Sequence, residues 1–120
     1  MAEEITYDWE AAAPSTCGPL TVGATYDGFS TARVRIRRRT EAHYHDVAHE
    51  LYRVEEGTGV LRTRHREAGH TEEYRLASGT EVVIEPDEIH QTRPDDELLV
   101  TTVSVPDWSE DDETVVGDLF

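Results

Sequence analysis

The sequence predicts an all-β chain, an antiparallel sandwich or barrel, on three observations. Short segments of alternating apolar and polar residues dominate it, and turn residues separate them at nearly regular intervals. No apolar run approaches the ~20 residues a membrane span needs. Residues 20–24 and 29–37 are predicted strands about Asp27-Gly28, a strong hairpin signal. Residues 50–54 lead into Gly57-Thr58-Gly59, and residues 60–64 lead out of it. Ala68-Gly69 breaks the chain before a strand over 73–76, and Ser78-Gly79 turns it into Val82-Val83-Ile84. Pro86-Asp87 turns it again before His90, and Asp95-Asp96 precedes the most apolar strand, 98–105. The tail, 107–120, is acidic with apolar points at Trp108, Val115, Val116, Leu119 and Phe120. Within it Ser109 and Asp112 are spaced to cap a short helix.

At 120 residues the chain is sized for one domain. A domain of this size buries roughly two-thirds of its surface on folding, enough for a core without staples. Cys17 has no partner for an intramolecular disulfide, which fits a reducing compartment. Met1-Ala2-Glu3-Glu4 is acidic and lacks the features of a secretory signal, so the expectation is a soluble cytoplasmic protein with no membrane partner. Twenty-six acids face eleven bases, every base is an arginine, and the net charge is −15. Self-repulsion on that scale is screened by concentrated salt, which is the balance expected of a halophile. It disfavours nucleic acid, whose binding depends on neutralising phosphates. The one basic stretch, residues 33–39, alternates arginine with Val34 and Ile36 and reads as a half-buried strand with its arginines paired to the acidic surface. Arg62, Arg64 and Arg66 decorate a second exposed strand in the same way.

The chemistry concentrates at His43-Tyr44-His45, with Glu50 and His90 downstream. Alternate side chains share a face of a strand, so His43 and His45 point the same way if the segment is extended. Imidazoles with a carboxylate hold divalent transition metals. Glu50 alternates with Tyr52 and Val54 and therefore faces inward, where an unpaired carboxylate is costly to bury. Tyr52 and Thr92 share the parity of Glu50 and His90, making them the candidate substrate-lining pair. His65 and His70 lie in a charged hairpin and read as solvated, and Cys17 reads as a small buried residue. A competing pattern exists. Tyr44, Val47, Ala48, Leu51 and Val54 fall near helical spacing, so residues 41–56 form an alternative amphipathic helix ending at Gly57. His45-Asp46-Val47-Ala48-His49 would then place two imidazoles one turn apart, as in a zinc hydrolase, with His49 competing with Glu50 as ligand. Periodicity alone does not choose between them.

The spacing His43, Tyr44, His45, four residues, Glu50, six residues, Gly57 resembles the first motif of the cupin superfamily. Gly79, five residues, then Glu85-Pro86 and on to His90 resembles the second. The turn around Val54-Glu55-Glu56-Gly57-Thr58-Gly59 and the stretch Val105-Pro106-Asp107-Trp108 are also similar to small single-domain cupins, so the likeness spans about residues 20–112. Departures occur at Arg37, Glu85, Asp87 and Pro94, where the motifs have glycine, proline, glycine and asparagine; these are turn positions, and the ligand positions are intact. The resemblance implies a single antiparallel jelly-roll β-barrel over 20–106, an N-terminal extension (1–19) packing on or pairing with it, and an acidic C-terminal segment (107–120). It implies one divalent metal, iron, manganese, nickel or zinc, on His43, His45, Glu50 and His90. Those ligands would come from two neighbouring strands and the loop between Val47 and Glu50. It further implies a small-molecule partner, pairing as a homodimer, and a role as a dioxygenase, an isomerase-like enzyme or a non-catalytic sensor module.

Overall fold

In the computed structural model, which describes residues 2–120, ten strands form two five-stranded antiparallel sheets. The strands are β1 (Leu20–Tyr26), β2 (Phe29–Ile36), β3 (His43–His45), β4 (His49–Glu56), β5 (Gly59–His65), β6 (Glu72–Leu76), β7 (Glu81–Ile84), β8 (Glu88–Pro94), β9 (Leu98–Val105) and β10 (Glu113–Val115). One sheet runs β1-β2-β9-β4-β7 and the other β10-β3-β8-β5-β6. This is the jelly-roll arrangement, and the predicted turn signals separate β1 from β2 and each successive pair from β4–β5 to β8–β9. The helix that the periodicity of 41–56 allows does not form. That segment is β3, a short bend and β4, because both strands find ladders, β3 with β8 and β10, β4 with β7 and β9. With it goes the one-turn spacing of His45 and His49, and His49 is exposed.

Period-two alternation sorts each strand into an inward and an outward face. Val34, Ile36, Val54, Leu61, Leu76, Ile84, Leu98 and Val100 meet between the sheets as the apolar core. Register divides the interior lengthwise. Val54 pairs with Val100 at one end of β4, and Glu50 pairs with Ser104 at the other. On the facing sheet Leu61 pairs with Thr92, whereas Thr63 pairs with His90. One end of the sandwich is therefore hydrocarbon, and the other is lined by imidazole, hydroxyl and carboxylate. Between the two zones the Tyr52 hydroxyl and Thr92 Oγ1 share a buried hydrogen bond of 2.8 Å that ties sheet to sheet.

Four of the five arginines in the basic stretch 33–39 are occupied. Arg33 and Arg35 lie over the rings of Tyr7 and Trp9, each 4.4 Å from the ring centroid, which fastens the N-terminal segment to β2. Arg35 and Arg37 reach Glu97 at 3.3 and 3.6 Å, and Arg39 reaches Asp118 at 3.0 Å. At the other terminus Phe120 sits beneath both Arg62 and Arg93. Leu119 N donates to Gln91 Oε1 on the outer side of β8 at 2.6 Å. The helix expected near Ser109 is a single 3-10 turn, Glu110–Asp112, and Ser109 makes no side-chain cap. Asp112 instead accepts from the Val47 and Ala48 amides at 2.9 and 3.0 Å, capping the β3–β4 bend from outside.

Gly57 closes the β4–β5 turn with φ of +95°, in the left-handed region, and a β-carbon there would overlap the Glu97 carbonyl. A Gly57→Ala variant should lose roughly 2–3 kcal/mol of stability in urea titration, since strain and overlap act together. An unchanged midpoint would show that the turn relaxes freely.

Candidate metal centre

Three histidines meet at the polar end. His43 and His45 leave the inner face of β3 on either side of Tyr44, whose ring faces outward beneath Arg66. β3 pairs with β8 so that His43 is directly opposite His90. The ring centroids of His43 and His90 are 4.2 Å apart, and each lies 5.3–5.5 Å from that of His45. All three side chains are buried, and one nitrogen from each falls within 4.8 Å of the others.

Main-chain carbonyls orient two of these rings. His43 Nδ1 lies 2.9 Å from the Glu41 carbonyl and His90 Nδ1 lies 3.0 Å from that of Glu88. A carbonyl only accepts, so Nδ1 carries the proton and Nε2 keeps its lone pair. Burial, and then the neighbouring His43, hold His90 well below the ordinary imidazole range. The same two causes lower His45, against a smaller opposing pull from Glu113, Asp112 and Asp46. His90 Nε2 and both nitrogens of His45 are buried without a hydrogen-bond partner. Leaving such groups unmatched costs about 1–3 kcal/mol each, and a cation on their lone pairs relieves that cost.

Glu50 comes from the facing sheet. It lies on β4 itself, not in the preceding loop, so the four expected groups come from both sheets, with His43, His45 and His90 from one and Glu50 from the other. Its Oε2 is 3.6 Å from His45 Nε2. Burial, and secondarily the charge of Glu113, push its carboxyl up to about 7. Cys17 is half-buried near it; burial and then Glu50 push the thiol up to about 12, so it remains protonated. Two carboxylates that the sequence reading passed over also reach the cluster. Glu113 Oε1 is 3.9 Å from His43 Nε2, and Asp112 Oδ2 is 4.0 Å from His45 Nδ1. They sit in a run of surface-like acids, and no periodic pattern separates them from their neighbours.

A cleft of about 350 Å³ opens between β5–β6 and β7. Thr63, His65, Tyr74, Val82, Ile84 and Glu88 are among its walls. Thr63 is the ladder partner of His90, and Ile84 that of Glu50, but none of His43, His45, Glu50 and His90 lines the cleft itself. His70 is exposed, as expected, and His65 is half-buried; both edge this cleft. Three imidazoles with nitrogens within 4.8 Å of one another are donors for a first-row divalent ion; Glu50 stands beside His45, outside that mutual set. The residues fit such an ion.

A two-sheet jelly roll with a histidine cluster inside one end defines a cupin-type protein. The chain belongs to the family of AraC-like ligand-binding domains, whose sequence profile matches residues 29–107. No curated protein matches it as a sequence relative. Among solved structures it is similar to Streptomyces Pac13 with uridine, at 20% identity over 98% of this chain and 95% of that one, TM-score 0.77. It is similar to CapF, the capsular polysaccharide assembling protein of Staphylococcus aureus, at 18% identity over 98% of this chain and 35% of that one, TM-score 0.73. KdgF from Halomonas sp. matches at 18% identity over 78% of this chain and 81% of that one, TM-score 0.66. At these identities the likeness carries the fold.

Glu50 ionises near 4.5 when unfolded and near 7 when folded, so the native state holds the extra proton between those values. Stability of the metal-free protein should therefore fall through this group as pH rises across that window. Glu50→Gln should remove the slope and gain up to about 3 kcal/mol over the parent near pH 8, with little difference near pH 4. Urea unfolding at both pH values measures it, and parallel curves would discount the burial of Glu50.

Proposed function

We propose that this chain is a mononuclear metalloprotein holding one divalent transition ion on His43, His45, Glu50 and His90, and presenting it to a small molecule. The observation that carries the reading is the set of buried, partnerless imidazole nitrogens facing one another, with Nδ1 of His43 and His90 tied back to carbonyls. Backbone partners of this kind fix the ring and the tautomer of a ligating histidine. Iron, manganese, nickel and zinc all suit the donors.

The chain's own groups supply the rest. The Tyr52–Thr92 pair forms a rigid floor one alternation from Glu50 and His90, and it is proposed to face the inner end of the ligand. The cleft walls combine an aromatic surface at Tyr74 with acceptors at Glu88 and Glu72, a lining for a neutral, hydroxylated molecule. Its volume lies at the small end of the range for ligand sites, about 300–1,000 Å³. Pac13, named as a nucleoside dehydratase and seen with uridine, supports a ligand of sugar or nucleoside size. When bound, the ion supplies Lewis-acid or redox chemistry, which suits dioxygenase or isomerase-type turnover. A second reading, a non-catalytic sensor, is favoured by membership of a ligand-binding family. Turnover of a bound sugar or nucleoside would separate the two.

Protein prepared without an affinity tag should carry close to one equivalent of a first-row metal by elemental analysis. His90→Ala should weaken binding by more than about 100-fold, beyond what loss of an outer partner does. Wild-type occupancy in that variant would refute the site.

The setting is proposed to be a salt-rich cytoplasm, and the working form a homodimer. Val22 and Tyr26 on β1, Phe29 beside it, and Val83 on the opposite edge strand β7 are exposed, which supports pairing through a sheet margin. Salt of about 2 M shortens the screening length to a few ångströms, so melting temperature should rise steeply from about 0.1 M. Sedimentation across the same series should show two copies. A flat melting curve would exclude salt adaptation, and a monomer throughout would exclude the pairing.

A further inference from the structure

Glu113 is held in place as firmly as the histidines. It lies on β10, opposite His45 in the β10–β3 ladder, and its side chain is 11% exposed. Thr16 Oγ1 donates to Oε1 at 2.7 Å, and Trp108 Nε1 donates to Oε2 at 3.2 Å. The two donors come from opposite ends of the chain and converge on one carboxylate, which they aim at His43 Nε2, 3.9 Å away. Two donors sharing one ion at bonds of about 2.0–2.2 Å stand about 3–4 Å apart. The His43–Glu113 separation meets that requirement, as does the 3.6 Å between His45 and Glu50.

The segment that carries Glu113 has little else to keep it down. β10 is three residues long and pairs only with β3, and Thr114, Val115 and Trp108 are exposed. Its remaining ties are hydrogen bonds, among them Asp112 to the Val47 and Ala48 amides and Val116 N to the Ala42 carbonyl. Charge points the same way. A divalent ion with three neutral imidazoles and Glu50 alone would leave one net positive charge buried, and a second carboxylate cancels it.

We propose that Glu113 is a fifth protein ligand to the metal, so that the ion pins the C-terminal segment, residues 107–116, over the open end of the sandwich. The inference rests on the reading of His43, His45 and His90 as a metal centre and adds a coupling to it. Because binding and docking share one free energy, the ion protects the segment and the segment strengthens the ion's binding by the same factor. The C-terminal segment then becomes a metal-dependent cover, closed in the loaded protein and looser in the stripped one.

The experiment is calorimetric titration of the full chain with Zn²⁺, Ni²⁺ and Mn²⁺, paired with hydrogen exchange of residues 107–116 in stripped and loaded protein. Wild type should show slowed exchange of that segment on loading. Glu113→Gln should bind more than about 100-fold more weakly, beyond what loss of an outer partner does, and lose the slowing, while Glu110→Gln, altered at an exposed neighbour, should match wild type. Trp108→Phe, which keeps the carboxylate but removes one of its donors, should fall between them, so the test survives if Glu113→Gln folds poorly. Wild-type affinity in Glu113→Gln, or exchange indifferent to metal, overturns the fifth ligand alone. Failure of wild type to bind any of the three ions overturns the metal centre and this proposal with it.

Discussion

Two hydrogen bonds, from His43 Nδ1 to the Glu41 carbonyl and from His90 Nδ1 to the Glu88 carbonyl, decide the character of the interior. Each runs from a histidine to the carbonyl two residues earlier in its own chain, so each ring is fixed by the strand that bears it. The ladder pairing of His43 with His90 then forces both Nε2 atoms toward one space. Burial, with His43 beside it, holds the His90 ring well below the ordinary imidazole range. The chemistry open to this end of the molecule follows from rings whose orientation is set before any ligand arrives.

The division of the sandwich into an apolar and a polar end makes this arrangement affordable. Val34, Ile36, Leu61, Leu76, Leu98 and Val100 form a core that supplies the driving force for folding without help from the histidine end. Four elements that would be weak alone meet at the polar end: β3, β10, the 3-10 turn and the segment around Thr16. Their cross-links are almost all charged or polar, which is the opposite of how the core is built. Instability is thereby confined to the functional end, where movement is least damaging to the rest.

The arginines solve a different problem. A chain with 26 acids and 11 bases has few cations, and it uses them on the outer faces of β2, β5 and β8 to hold down its own termini. A guanidinium stacks on an aromatic ring and still reaches a carboxylate, as Arg35 does with Trp9 and Glu97. A lysine ammonium has no plane to stack. Each such contact is worth only about 0.5–1 kcal/mol at an exposed site. Their number, and their placement at both termini, give them their effect.

Of the strands from β1 to β9, all but β3 and the start of β4 were legible in the sequence, because turn chemistry bounds them and their residues alternate in polarity. The histidine spacing marked His43, His45 and His90, and the structure brings them together; the parity of Glu50 with Tyr52 and Val54 placed its side chain inward. Periodicity could not choose between strand and helix over 41–56, because a short amphipathic stretch satisfies both patterns and only ladder partners far along the chain break the tie. Nor did it give Glu113 or Asp112, which reach the cluster through a three-residue strand and a single turn in a uniformly acidic tail. Such elements have no period to read: their positions are set by which groups elsewhere need a partner. Local alternation therefore delimited most of the strands and the motif resemblance marked the three rings, whereas long-range contact alone decided which carboxylates stand beside them.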